Sequence, residues 1–378
     1  MRCSAYIHIP FCSHKCDFCD FVAFAGVTNQ EDEYCAVVCE EISTRLKALD
    51  AKPRLTSIFY GGGTPGLIKP SNISKIHSAL LERTDLVPGA EVTLETTPQS
   101  INSAKAGEWI AIGINRLSVG VQSFRDDELL AIGRDHQRAQ AVEGLEAAVD
   151  AGFRNVSVDL MYGLPTQVLS SWNESIKELL KLAQRLNYIQ HVSAYALDLA
   201  ANSPLKMRFP ESSSSYPTEE NFIAMYELLV SSLERAGFPQ YEISNFSKPG
   251  FQSVHNLNYW NNGEYLGFGV GAHRYLGGYR SSNWRSLGRY LRDYMGNQTI
   301  ELIEPSLRVR EAIMLGLRRT DGIDLSRFAE EYGVNILEQF GKSIDKLKAG
   351  QFIEVDNDRL KLSSKGVPVS NSVIVEFI

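Results

Sequence analysis

Tyr6-Ile7-His8-Ile9-Pro10-Phe11-Cys12-Ser13-His14-Lys15-Cys16-Asp17-Phe18-Cys19-Asp20-Phe21 is the stretch from which the fold is read. Residues 3–9 alternate only weakly, but Tyr6, Ile7 and Ile9 suit a short buried strand. Three cysteines at C-x3-C-x2-C spacing then fall within one tight loop, where their thiols can converge. Thiolates are the usual ligands of iron–sulfur clusters, normally four of them. Three would leave one iron of a [4Fe–4S] cluster without a protein ligand, and an open metal position is what separates catalytic from structural sites. Phe11, Phe18 and Phe21 would keep water from such a cluster. Two other readings of the same thiols stay open. One is a zinc site completed by Cys3 with His8 or His14; the other is thiols without metal.

Outward from this loop the chain alternates. Strand-like runs are expected at 55–60, 90–95, 116–121, 155–160 and 190–197, and helices at 30–49, 72–83, 101–112, through Ala151, and at 170–186. Six strands alternating with helices predict parallel βαβ units, closed into a barrel or open and doubly wound. Each strand ends on glycine or polar residues: Gly61-Gly62-Gly63, Glu95, Gln122, Asp159 to Gly163, Ser193 and Tyr195. Active sites of parallel α/β barrels lie at those carboxyl ends, and the cysteine loop follows the first strand onto the same rim. Six units rather than eight leave the barrel incomplete. The glycine triplet allows a tight turn and close approach of backbone amides to a ligand.

Further on, 198–218 reads as a loop, with Ala200-Ala201-Asn202 and Ser212 to Ser215, followed by a helix to about Arg235. Helices at 308–318, 325–331 and 334–349, then strands at 352–355 and 359–362, suggest a small α+β, winged-helix-like terminal domain. The expected division is 1–235, a connecting region 236–300, and 301–378. Cys35 and Cys39, four apart on one helix face, read as buried thiols in helix packing. A hydrophobic share of 44% over 378 residues supports a packed core, and a formal charge of −7 argues against a nucleic-acid partner. Without a signal peptide or a membrane-length apolar run, the expected location is cytoplasmic, with membrane contact only through a membrane-bound recipient.

Cysteine spacing and flanks resemble the radical S-adenosylmethionine (SAM) superfamily. Tyr6 to Cys12 is similar to the start of the oxygen-independent coproporphyrinogen III oxidase group and its heme-chaperone relatives. The resemblance implies an incomplete (β/α)6 radical SAM barrel whose cluster, held by Cys12, Cys16 and Cys19, chelates SAM and, once reduced by an electron donor, cleaves it to a 5′-deoxyadenosyl radical. Residue by residue, it implies that Glu95 meets the methionine moiety, Gln122 and Asp159 the ribose, and Arg134 the SAM carboxylate. Tyr6, the Phe18 backbone, Gly62, Gly63 and Thr64 complete the shell. The family's Glu-Ala-Asn-Pro reads Glu95-Thr96-Thr97-Pro98 here.

Within the group, the oxidases carry a fourth cysteine where this chain has Phe21, and a long extension where it has five residues ahead of Tyr6. His255-Asn256-Leu257-Asn258-Tyr259-Trp260 instead resembles the HNxxYW element of the heme chaperone HemW group, with His255 as the heme ligand. Imidazole is a good axial ligand, and Tyr259, Trp260, Tyr265 and Phe268 suit a flat macrocycle. His273 is read as a second ligand or a core residue. The expectation is a chaperone that binds heme and transfers it to recipient hemoproteins; the alternative is a coproporphyrinogen III oxidase. Cluster and SAM are left three roles: radical chemistry, gating of heme release, or support of a homodimer. No Cys-x-x-Cys-His motif is present, which argues against c-type heme attachment.

Overall fold

The computed structural model describes residues 1–199, 203–296 and 299–378. Six strands run β1 (Arg2–Ile9), β2 (Arg54–Gly62), β3 (Asp85–Thr96), β4 (Arg116–Gln122), β5 (Val156–Tyr162) and β6 (Ile189–Ala196). Between them lie α1 (Glu31–Lys47), α2 (Pro70–Arg83), α3 (Ser103–Ile112), α4 (Asp126–Ala131), α5 (Arg138–Ala151) and α6 (Leu169–Leu186). All six strands pair in chain order and in parallel. The alternation predicts this, since each crossover helix returns the chain to the same end of the sheet.

The two faces of the sheet differ. Ile7, Ile58, Leu94, Val119, Val158 and Val192 point outward into one apolar core with Val38, Ile76, Trp109, Leu145 and Leu179 of the helices. The inner face carries Tyr6, Phe59, Thr93 and Arg116, which sit side by side in register. It curves: Tyr195 on β6 lies within electrostatic range of Glu95 on β3. The core therefore sits between sheet and helices, and the lumen is polar.

Sequence patterning understates the sheet. Residues 236–300, expected as a connecting region, supply β7 (Gln240–Glu242), β8 (Asn245–Ser247), β9 (Tyr265–Phe268), β10 (His273–Leu276) and β11 (Tyr279–Ser282), followed by β12 (Thr299–Leu302). Among the described residues the order is β12-β11-β10-β9-β1-β2-β3-β4-β5-β6-β8-β7, with β9 parallel to β1 and the other additions antiparallel. The barrel thus stays open and gains a seventh parallel strand. Strands this short carry almost no periodic signal, and long-range pairing alone defines them. Because Phe246, Leu266, Phe268 and Tyr290 join the same core, we propose that residues 1–302 form one folding unit.

Helices α7 (Pro204–Arg208), α8 (Glu219–Arg235), α9 (Val254–Trp260) and α10 (Leu287–Arg292) complete this unit. Ala200, Ala201 and Asn202 of the expected loop lie outside the described residues. The terminal unit runs α11 (Pro305–Gly316), β13 (Ile323–Asp324), α12 (Leu325–Tyr332), α13 (Ile336–Gln339), α14 (Gly341–Ala349), β14 (Ile353–Asp356) and β15 (Arg359–Leu362). This is the element order of a winged helix, around its own core of Ile313, Leu317, Phe328, Ile344, Leu360 and Phe377. The single helix expected over 334–349 is broken at Phe340, whose φ of −112° and ψ of 20° leave the helical region. Ile243 N–H donates to Arg318 O (3.1 Å) and Thr320 N–H to Tyr241 O (3.1 Å), so the terminal unit covers an exposed sheet edge.

Candidate cofactor site

Backbone hydrogen bonds pin the cysteine loop to the turn after β2: Gly63 N–H to Ile9 O (2.8 Å) and Thr64 N–H to Phe11 O (2.8 Å). Thr64 Oγ1 donates to Cys12 Sγ at 3.8 Å, and Arg134 Nη1 to Cys16 Sγ at 3.3 Å. Asp17 pairs with Arg208, and Leu205 N–H donates to Asp17 O at 3.0 Å, so α7 closes over the loop. Phe18 packs there against Ile132, Leu164 and Leu205. Of the three expected shielding rings, Phe11 is buried but Phe21 is 67% exposed and shields nothing. Burial pushes the Cys12 thiol up to about 11 and raises that of Cys19. Among the described residues no three His, Cys, Asp or Glu side chains gather around one metal ion. In a cluster each thiolate would hold a different iron.

The zinc alternative is not assembled. Cys3 lies buried at the far end of β1, and both ring nitrogens of His8 are taken, by Tyr6 OH (3.0 Å) and Val22 O (2.7 Å). Cys35 is buried in the apolar core, and Cys39 packs against it.

On the same rim, Gly62 has φ +114°, and a Cβ there would stand 2.5 Å from the His8 ring; one on Gly63 would stand 2.7 Å from Phe11 O and 3.1 Å from Cys12 Sγ. Only glycine fits either place. Gly62 N–H donates to Glu95 Oε2 at 2.9 Å. Burial nevertheless raises Glu95 to about 7 and Asp159 to about 6, because one amide and a few hydroxyls replace bulk water poorly. Asp159 accepts from Ser118 Oγ (3.0 and 3.1 Å) and Ser157 Oγ (3.2 Å). Gln122 sits at a register slip with φ +69°, a strained conformation of the kind found at binding sites. Its Oε1, and Arg134 Nε, are buried without partners. Arg134 Nη2 also donates to Gly120 O at 2.5 Å. His136, which sequence reasoning missed, donates through Nε2 to Val121 O at 3.1 Å and so braces the Gln122 backbone. Its place two residues after Arg134 was the available signal.

Tyr6, Gly62, Gly63, Thr64, Glu95, Gln122, Arg134 and Asp159 therefore gather with the cysteines, and His255 lies deeper. Glu91 of β3 accepts from Ser253 Oγ (3.2 Å), Val254 N–H (3.1 Å) and His255 N–H (3.2 Å), holding the first turn of α9 in the lumen. Arg116 Nε stands 3.8 Å from Glu91. The His255 ring is stacked on Phe59 (centroids 4.9 Å apart), and it is 1% exposed. Nδ1 bonds Ser57 Oγ at 2.9 Å and Nε2 bonds Tyr259 OH at 3.1 Å. Burial lowers the imidazole to about 3, so it is neutral. His273, by contrast, is exposed on β10, and the core reading of it does not hold.

Residues 6–179 match the Radical SAM superfamily and residues 303–369 the HemN C-terminal domain. Fold and matched segments together define a radical SAM protein, and that superfamily implies a [4Fe–4S] cluster and SAM. The chain is 35% identical to the heme chaperone HemW of Bacillus subtilis, with 99% of each chain covered. It is 31% identical to that of Lactococcus lactis, covering 99% of this chain and 97% of the other. The mitochondrial radical S-adenosyl methionine domain-containing protein 1 of Danio rerio is 32% identical, with 99% and 86% covered. The chain belongs to the heme chaperone HemW family. Coproporphyrinogen III oxidase (HemN) from Escherichia coli shares the fold, with a TM-score of 0.86 at 21% identity over 100% of this chain and 90% of that one. Among the described residues no helix is long and apolar enough to cross a membrane.

Proposed function

We propose that the protein binds heme and hands it to recipient hemoproteins, with a [4Fe–4S] cluster on Cys12, Cys16 and Cys19 and SAM beside it. The observation that carries this reading is the full-length similarity to the Bacillus subtilis heme chaperone. When bound, the cluster and SAM supply one-electron chemistry. Three thiols without a fourth cysteine in the loop suit a cluster with one open iron, and the orphaned Gln122 Oε1 and Arg134 Nε suit a polar ligand between them. Glu95, short of donors, would take the methionyl ammonium. Arg134 would take the carboxylate, and Gln122 and Asp159 the ribose hydroxyls; Tyr6, Phe18, Gly62, Gly63 and Thr64 would line the pocket. Thr64 and Arg134 would steady the thiolates by donating to sulfur.

For heme, His255 has the attributes of a ligand in waiting. It is neutral, and its Nδ1–H is oriented by Ser57, as metal-binding imidazoles usually are. Nε2 is blocked by the Tyr259 hydroxyl, so ligation requires that hydroxyl to swing away. A hemin titration followed at the Soret band tests this. His255→Ala should weaken binding or change ligation, and Tyr259→Phe should strengthen or speed it. Equal weak binding by all three proteins would remove the case for His255. Protoporphyrinogen formed from coproporphyrinogen III with SAM and reductant would restore the oxidase reading.

A further inference from the structure

Each sulfur of the cysteine loop has its own hydrogen-bond donor. Thr64 Oγ1 donates to Cys12 Sγ at 3.8 Å, Arg134 Nη1 to Cys16 Sγ at 3.3 Å, and the backbone of Phe21 serves Cys19. Of the three donors only the Arg134 guanidinium carries charge, and it makes the shorter of the two side-chain contacts. Neighbouring charges are otherwise engaged: Asp17 pairs with Arg208, and Asp135 accepts from Ser13 Oγ (2.9 Å) and Gln99 Nε2 (2.5 Å). Lys15 and Asp20, both exposed, act on Cys19 with opposite signs.

The guanidinium is held in place by the protein itself. Its Nη2 donates to Gly120 O at 2.5 Å, and the Arg134 N–H donates to Leu129 O at 3.0 Å. The turn that carries it is fastened to the cysteine loop, since Asp17 N–H donates to Ile132 O at 3.3 Å. Gly133, at φ +71°, passes so close that a Cβ there would stand 2.7 Å from Asp17 Cγ. Nε stays without a partner, so the contact to sulfur does not compete with the carboxylate role assigned to Arg134 above. One-electron reduction adds a negative charge to a cluster and breaks no bond to the protein. Donors on the ligating sulfurs stabilise that charge, which is one of the ways a protein sets a cluster's potential. A charged donor does this more strongly than a neutral one. We infer that Arg134 sets the reduction potential of the cluster, raising it through Cys16 whether or not SAM is bound. This inference rests on the cluster reading above.

The test is a potentiometric titration with dithionite, followed by the EPR signal of the reduced cluster, on anaerobically reconstituted protein without SAM. Arg134→Gln should make reduction about tenfold less favourable, a drop of about 59 mV for one electron. Arg134→Lys keeps the charge and loses the planar fork, so its potential should fall between that variant and the wild type. Thr64→Val removes a longer, neutral contact and should cost about threefold or less. Loss of a merely structural brace would lower the cluster content without moving the potential of the clusters that remain. Wild-type potentials in both Arg134 variants, or a larger shift from Thr64→Val than from either, would overturn the inference while leaving the cluster in place. If Arg134→Gln assembles no cluster, Arg134→Lys decides by the same comparison. A wild type that yields no reducible cluster would overturn the cluster reading itself.

Discussion

Glu95 shows what burial does to a carboxylate given too few donors. Its carboxyl is held near 7 by burial, and the ionised form gains one amide hydrogen bond. A cationic ligand would complete it. With the cluster reconstituted anaerobically, Glu95→Gln should therefore lose at least about tenfold in SAM affinity at pH 7.5. The wild-type affinity should fall as pH drops through about 7 and the carboxylate takes up a proton. A flat pH profile would count against the role. At the sulfurs, Cys12→Ala, Cys16→Ala and Cys19→Ala should each lose the cluster's iron, whereas Cys35→Ala, on the buried face of α1, should keep it. Iron retained in all of the first three would refute the ligand set. The three cysteines were legible in their spacing, and Glu95 through its place at a strand end and the family resemblance. His136 was not, because its work is done on a backbone carbonyl that no sequence pattern reveals.

At the scale of elements, α9 depends on a strand far away in sequence. Only seven residues long, it is too short to be stable by itself, and Glu91 of β3 supplies acceptors for its first turn. Glu91→Ala would orphan those donors and remove the only carboxylate among the described residues within ion-pair distance of Arg116, which is 2% exposed. Losing one partner of a buried ion pair costs about 3–5 kcal/mol. Urea unfolding should show a loss of that order, with Glu91→Gln losing less because it keeps one acceptor; a change near zero would mean the cap is dispensable. The motif itself was readable, yet its placement in the lumen was not. Nothing within residues 255–260 says that Phe59 and Ser57 will meet the imidazole.

For the whole molecule, the polar lumen and rim set the response to pH. Burial lowers five histidines, His8, His77, His136, His191 and His255, and partial desolvation beside Arg285 and Arg280 lowers the more exposed His273. The folded state thus binds fewer protons than the unfolded chain below about pH 6.5, and each such histidine contributes stability that is lost as pH falls from there. Glu95, Asp159 and Glu242 are raised and act in the opposite sense, favouring the folded state at low pH and losing that contribution as pH climbs to about 7 for Glu95 and about 6 for Asp159. Histidines outnumber them, so unfolding midpoints should fall between pH 6.5 and pH 5. Each net proton is worth about 1.4 kcal/mol per pH unit. A midpoint that rises over that interval would show that the carboxylates dominate.

The sequence by itself determined the six alternating βα units, because outward-facing apolar runs bounded by turn residues leave few other ways to bury them, and it marked the rim through the cysteine spacing and the glycine triplet. It also determined the helix and hairpin order of the terminal unit. The count of six units also left the barrel open, but tertiary structure alone decided that short strands between 240 and 302 widen the sheet, that Phe21 faces solvent, and that His255 is sealed behind Tyr259. Each of these depends on pairs of residues distant along the chain, and local patterning carries no record of which strand edge or side chain a short segment will meet.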